Sequence, residues 1–320
     1  MNWKFWLRLI LSIFLIVWII IKVDLRAIIS ALGQIKPMFW MLFLIPFPLA
    51  VFLNSFSVYY LLRRTGAAVG YWRTFKFKFI SRALCLFFPS QMGDLALGPL
   101  MKIEGVQMGQ TLAVVTIDKM VSFMVMSLAG AYALWVYFGW NVFLRVMVFL
   151  VAFLVISLML ISSATVRGWI KKYFLRKYAH LFQGYYHHFA YIWKEEKKAI
   201  FVDFLITVLW LLLTSTVIFG LFKSVGVTVN IGVIASIQGV GALSSVLPIS
   251  LSGAGVRESI VVYLFSLLEV SYALTAGMFL VFLSVSYLWA AVALMLYSKE
   301  FNVGLLRKMF EEKKKNEHFN

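Results

Sequence analysis

The chain of 320 residues is 62% hydrophobic and 13% charged, with a mean hydropathy of +0.91, whereas a soluble domain carries roughly one-quarter charged residues. That balance excludes a water-soluble globular protein, whose surface would need charges every few positions, and makes most of the chain a lipid-solvated bundle. The formal net charge of +17 fits basic cytoplasmic loops and attraction to anionic headgroups, so no nucleic acid partner is expected.

The first apolar run, Leu9 to Ile21, is flanked by Lys4 and Arg8 and is followed by no small-residue cleavage site, so it reads as an uncleaved first helix. Uncharged stretches then follow at Pro37–Leu62, Met120–Leu144, Val146–Val166, Phe204–Phe222, Ser224–Val256 and Val270–Ser298. Each is longer than the roughly 18 residues at which a spanning helix is suspected. The single Cys85 excludes an internal disulfide, and four scattered histidines without paired carboxylates offer no metal set; no cofactor is expected.

Basic residues gather in four places: Lys4 and Arg8; Arg63, Arg64, Arg73, Lys76, Lys78 and Arg82; Arg167 through Lys198; and the tail from Lys299. The positive-inside rule assigns all four, and both termini, to the cytoplasm of a cell (inner) membrane. The uncharged Gly139-Trp140-Asn141 turn then faces outside. With that orientation the stretch from Arg63 to Gly109 starts and ends inside, whereas Lys223 to Ser271 starts and ends outside, so each must dip into the membrane and return.

Both dipping segments are broken in the same way. Phe88-Pro89-Ser90-Gln91-Met92-Gly93-Asp94 and Pro248-Ile249-Ser250-Leu251-Ser252-Gly253-Ala254-Gly255-Val256-Arg257-Glu258 each interrupt an apolar run with proline, then glycine, then ionised residues. Their distances from the preceding helix, Leu62 to Pro89 and Phe222 to Pro248, agree within one residue. Pro/Gly-interrupted hydrophobic segments at matching places in two halves point to a transport site; coincidence between two proline-kinked membrane helices is the alternative. The expected architecture is an all-α polytopic membrane protein with about six full spanning helices plus two oppositely oriented Pro/Gly-broken re-entrant hairpins in an inverted repeat. It forms a single integral membrane domain, 1–320. The first repeat covers about 37–138 with its break at 79–105, a basic interfacial linker 163–198, the second repeat about 199–298 with its break at 231–268, and a cytoplasmic tail 299–320.

Proline removes a backbone donor and glycine admits positive φ, so each break stops one half-helix and starts another, freeing N–H groups that are tolerated at membrane depth only in a polar cavity. In the second break, Gly253, Gly255 and the first-turn residues Arg257 and Glu258 would favour an anion such as phosphate. In the first, Asp94 is expected near the start of its half-helix, where the dipole stabilises a carboxylate. Charges at this depth cost about 2.5–3.5 kcal/mol each, so Asp94, Asp118, Lys119, Arg257 and Glu258 need partners or a task. A static ion-pair network sealing the bundle remains the alternative to a substrate role. Lys102 and Glu104 are placed at the cytoplasmic surface. The linker mixes cations with Trp169, Tyr173, Tyr185, Tyr186, Phe189, Tyr191 and Trp193, which suits a helix in the headgroup layer over residues 167–198, bound to anionic headgroups. His180, His187 and His188 are read as interfacial polar residues.

At these residues the chain resembles the flippase-like family named after the transmembrane domain of lysylphosphatidylglycerol synthase. Pro89, Gly93 and Asp94 match an early Pro-x-x-x-Gly-Asp/Glu-x-x-Arg signature. Pro248, Gly253, Gly255, Arg257 and Glu258 match a late Pro-x-x-Pro-Gly-Gly-x-Gly-x-Arg-Glu signature, and Asp118-Lys119 resembles an acidic–basic pair on the following helix. Leu97 stands where the early signature has Arg, and Leu251 and Ser252 where the late one has Pro and Gly. The resemblance implies movement of lipid between leaflets by a stand-alone membrane domain, without the aminoacyl-transferase domain some members carry. The ligand so implied is a phospholipid or polyprenyl-phosphate lipid, with Pro89, Gly93, Asp94, Asp118, Lys119, Pro248, Gly253, Gly255, Arg257 and Glu258 as binding residues. A membrane-embedded transferase with Asp94 or Asp118 as base, and a secondary transporter of a small anion, are the competing readings. No catalytic motif is recognised, so the chain is not expected to be an enzyme; a homo-oligomer is allowed.

Overall fold

The computed structural model describes residues 25–87, 92–163, 182–245 and 255–297. The expected first helix, the tail, and Pro89, Pro248 and Gly253 lie outside the described residues. The protein is all-helical, with ten α-helices and no strand among the described residues. We number them α1 (Leu25–Gly33), α2 (Pro46–Arg64), α3 (Tyr71–Cys85), α4 (Leu97–Lys102), α5 (Met108–Ser162), α6 (Tyr185–Glu195), α7 (Lys197–Ser224), α8 (Ile231–Ser244), α9 (Val256–Ser266) and α10 (Tyr272–Leu296). Two 3-10 turns, Pro37–Phe43 and Met92–Ala96, precede α2 and α4.

Four stretches are long and apolar enough to cross a membrane: Pro37–Arg64, Met108–Phe149, Lys197–Ser224 and Tyr272–Leu296. The expected outer turn at Gly139 is a single non-helical residue (φ 79°, ψ 172°) in α5, and helix resumes at Trp140, so the expected run 146–166 continues α5 to Ser162.

Two segments repeat one construction: a long helix (α2, α7), a half-helix (α3, α8), a break, a short helix (α4, α9) and a long helix (α5, α10). The turns after the first helices are the same. Gly66 (φ 84°) and Gly226 (φ 82°) take left-handed backbone that L side chains avoid. Ala67 N–H donates to Leu62 O at 3.1 Å and Val227 N–H to Phe222 O at 3.0 Å, closing the same C-terminal motif. After the breaks, Gly105 and Glu269 both have positive φ (81° and 59°). The offset between copies is 159 residues at Leu97/Val256 and 164 at Gly105/Glu269, so the extra length of the second copy lies in its short helix, α9, and not in the break.

Equivalent helices α2 and α7 run antiparallel. Arg64, at the end of α2, lies 3.8 Å from Glu196 at the start of α7, and Ser57 donates to the Asp203 carboxylate one register further in. Each half-helix packs on the other segment's last helix. In α8, a Cβ on Gly239 would stand 2.7 Å from Gly130 N and Met126 O of α5, so the two backbones touch through glycine. In α3, Phe79 packs on Trp289 and Tyr297 of and after α10, at 6.4 and 6.2 Å between ring centroids. The helix starts follow from local chemistry: proline in the first turn of α2, and side-chain caps from Asn230 to Gly232 N (2.7 Å) and Ser271 to Leu274 N (3.4 Å).

Candidate functional site

Gly93 explains how the first break closes. A side chain there would drive into the Leu84–Cys85 backbone, so only glycine lets the chain cross against the last turn of α3. That contact delivers the next residue, Asp94, to a ring of donors. Its Oδ1 accepts from Lys78 Nζ at 2.9 Å and Ser81 Oγ at 3.0 Å, while Oδ2 pairs with Lys119 of α5. Asp94 is 2% exposed and Lys78 1%. Contact with three side chains, rather than the dipole of its five-residue 3-10 turn, therefore holds this carboxylate.

Asp118 does not join Asp94. Its Oδ1 accepts from Asn54 Nδ2 at 2.7 Å, and one turn along the same face of α2 Ser57 donates to Asp203 of α7. Asp118 and Asp203 are each 1% exposed, and one oxygen of each has no hydrogen-bond partner among the described residues.

In the second segment Gly255 (φ 85°) precedes α9, and Glu258 turns back to accept from Gly255 N–H at 2.7 Å, a one-sided cap that occupies one oxygen of this carboxylate. Arg257 reaches across to α8, where its guanidinium donates to Gln238 Oε1 at 3.4 Å while Nε is buried without a partner. Gly241 permits the approach, because a Cβ there would overlap Val261.

These residues surround a cavity of about 450 Å³ between α2, α3, α5, α7, α8 and α9. Lys78, Arg82, Lys119, Arg257 and Asp118 are its charged lining. A second cavity of about 150 Å³ adjoins it and shares Arg82, Arg257, Gln238 and Trp210. The remaining wall of the larger cavity is mostly apolar, with Val51, Leu53, Phe123, Met126, Ile206 and Leu211 among it. The cavity thus joins a cationic zone to an apolar wall in one space.

Two residues pooled above with the cytoplasmic basic loop face this cavity instead: Lys78 and Arg82 are one helical turn apart on the inner face of α3, with Thr74 and Ser81. Arg73 remains outside, 3.6 Å from Glu104. Asn54, Asp203, Gln238 and Trp210 were not anticipated; Asn54 was legible as the one amide within an otherwise apolar span. The segment 167–198 lies outside the described residues up to 181. Its final helix, α6, buries Phe189 and Ile192 against the protein and leaves Tyr186, Tyr191 and Trp193 exposed. Tyr185 donates to Thr116 at 3.0 Å, and Gly109 allows α5 to touch the Gln183 backbone. No group of three metal-ligating side chains occurs among the described residues.

Apolar spans and paired half-helices around a cavity with a charged lining define a polytopic α-helical membrane protein with an internal cavity. The model of the lysylphosphatidylglycerol synthase transmembrane region matches residues 5–294. The chain belongs to that family, whose name associates it with membrane lipid. No curated protein matches it.

Proposed function

We propose that the protein moves a phosphate-bearing lipid, an aminoacylated phospholipid or a polyprenyl-phosphate carrier, between leaflets of the cell membrane. In this reading it is a translocase rather than an enzyme, with both termini in the cytoplasm. The observation that carries the reading is the cavity built from both broken segments, cationic where they meet and apolar toward α2 and α7. Opposed half-helices would open it alternately to each side, and backbone N–H groups at the breaks would add to the cationic field.

Reconstitution tests it. Purified protein in liposomes carrying fluorescent lipid should raise the fraction reached by an impermeant quencher above that in protein-free vesicles. Uptake of soluble phosphate without lipid movement would favour an anion transporter, and conversion of labelled lipid to a new species would favour a transferase.

A further inference from the structure

The charges at this site are sorted by depth. Asp94, Asp118 and Glu258 are 2%, 1% and 7% exposed; Asp94 is turned to Lys78, Ser81 and Lys119, Glu258 to the Gly255 N–H, and one Asp118 oxygen to Asn54, the other having no hydrogen-bond partner among the described residues. Arg82 and Arg257 are half-buried and line both cavities. Neither guanidinium is ion-paired with a carboxylate among the described residues. Arg257 keeps a buried Nε without a partner, and Arg82 has no hydrogen bond there. The two come from opposite segments, α3 and α9, and share the lining of both cavities. A ligand entering this space therefore meets two guanidiniums, with Asp118 in the wall of the larger cavity and Glu258 in that of the smaller.

Two like charges held at membrane depth, with Glu258 engaged by the Gly255 N–H and Asp94 committed to two lysines, are under-compensated until a ligand supplies further negative charge. A phosphodiester brings one negative charge, whereas a phosphomonoester carries about −1.5 to −2 at pH 7 and a diphosphate at least as much. Guanidinium forks match the free oxygens of a terminal phosphate. An added headgroup ammonium would bring a further cation to a lining in which Lys78, Arg82, Lys119 and Arg257 already outnumber the carboxylates of Asp118 and Glu258.

We infer that Arg82 and Arg257 clamp the terminal phosphate of a lipid phosphomonoester or diphosphate, in preference to a diester or aminoacylated headgroup. This rests on the lipid-translocation reading above and narrows its substrate class.

The experiment compares acyl-labelled phosphatidic acid, phosphatidylglycerol and lysyl-phosphatidylglycerol in the same proteoliposome assay, with pyrophosphate as a soluble competitor. Phosphatidic acid should cross about tenfold faster than either diester and be inhibited by pyrophosphate. Arg82→Gln and Arg257→Gln should each cut its rate about tenfold, the loss expected for a charge-assisted contact. Arg82→Lys and Arg257→Lys, checked for monodispersity, should restore part of the rate and so separate lost charge from misfolding. Equal or faster movement of either diester, or unchanged rates in both Gln variants, overturns the clamp while leaving lipid translocation standing. Movement of no lipid overturns the translocation reading with it, and pyrophosphate uptake in that case assigns the two arginines to a soluble anion.

Discussion

At the scale of single residues, the buried carboxylates differ in what depends on them. Asp94 is the counter-ion of Lys78, which is 1% exposed and is ion-paired with no other carboxylate among the described residues. Asp94→Asn removes that charge and leaves a buried ammonium uncompensated, at a cost of about 3–5 kcal/mol. The variant should show a markedly lower unfolding midpoint in detergent. Asp203 is paired with a hydroxyl and faces another carboxylate, Asp118, so Asp203→Asn keeps an oxygen for Ser57 and relieves a like-charge contact. Its stability should stay within about 1 kcal/mol of the parent; equal losses for both variants would contradict this division. Asp94 and Lys119 were legible as charges inside apolar sequence. Lys78 and Arg82 were not, because the positive-inside rule counts cations by loop and ignores helix phase. Both sit four apart on a face that also carries Ser81, while Arg73 and Lys76 take the other side. Asp203 was hidden by Lys197 and Lys198, which mark the same helix end as interfacial.

At the scale of elements, glycine sets how closely half-helices approach the long helices. Gly239 and Gly130 bring α8 and α5 into backbone contact, so Gly239→Ala must push the helices apart. Overpacking of this kind costs typically about 1–3 kcal/mol. The variant should unfold at lower temperature and lose lipid movement, because Gln238 on α8 lines the cavity and holds Arg257. Gly33→Ala, with nothing within 4 Å of its Cβ, should leave both unchanged. Helix positions were largely readable from apolar runs: expected spans near Ala199–Phe222 and Tyr272–Tyr297 appear as Lys197–Ser224 and Tyr272–Leu296. Less readable was the span from Pro37, where Pro46 and Pro48 force a 3-10 turn before α2 begins. The start of α3 at Tyr71 was also unmarked, since its charged residues mask the apolar period. Glycine contacts leave no period in sequence at all, as they depend on what another segment presents.

For the whole molecule, antiparallel α2 and α7 predict that equivalent turns face opposite sides of the membrane. Ala68 and Thr228 occupy matching exposed positions two residues after Gly66 and Gly226. In a Cys85→Ser chain, Ala68→Cys should react with an impermeant maleimide only from the cytoplasmic side and Thr228→Cys only from the other. Labelling of both from one side would rule out the inverted arrangement and with it alternating access by two opposed breaks.

The same glycine crossing that delivers Asp94 also covers the chain's only cysteine. Cys85 is 1% exposed, its backbone pressed beneath Gly93. Cys85 also lines the smaller cavity, so motion that lifts the first break from α3 should widen access to this thiol, and a ligand seated in that cavity should protect it. The unmodified protein thus contains a built-in chemical clock for opening: the rate at which a small thiol reagent modifies Cys85 reports how often that half of the site comes apart, with no label introduced and no residue exchanged.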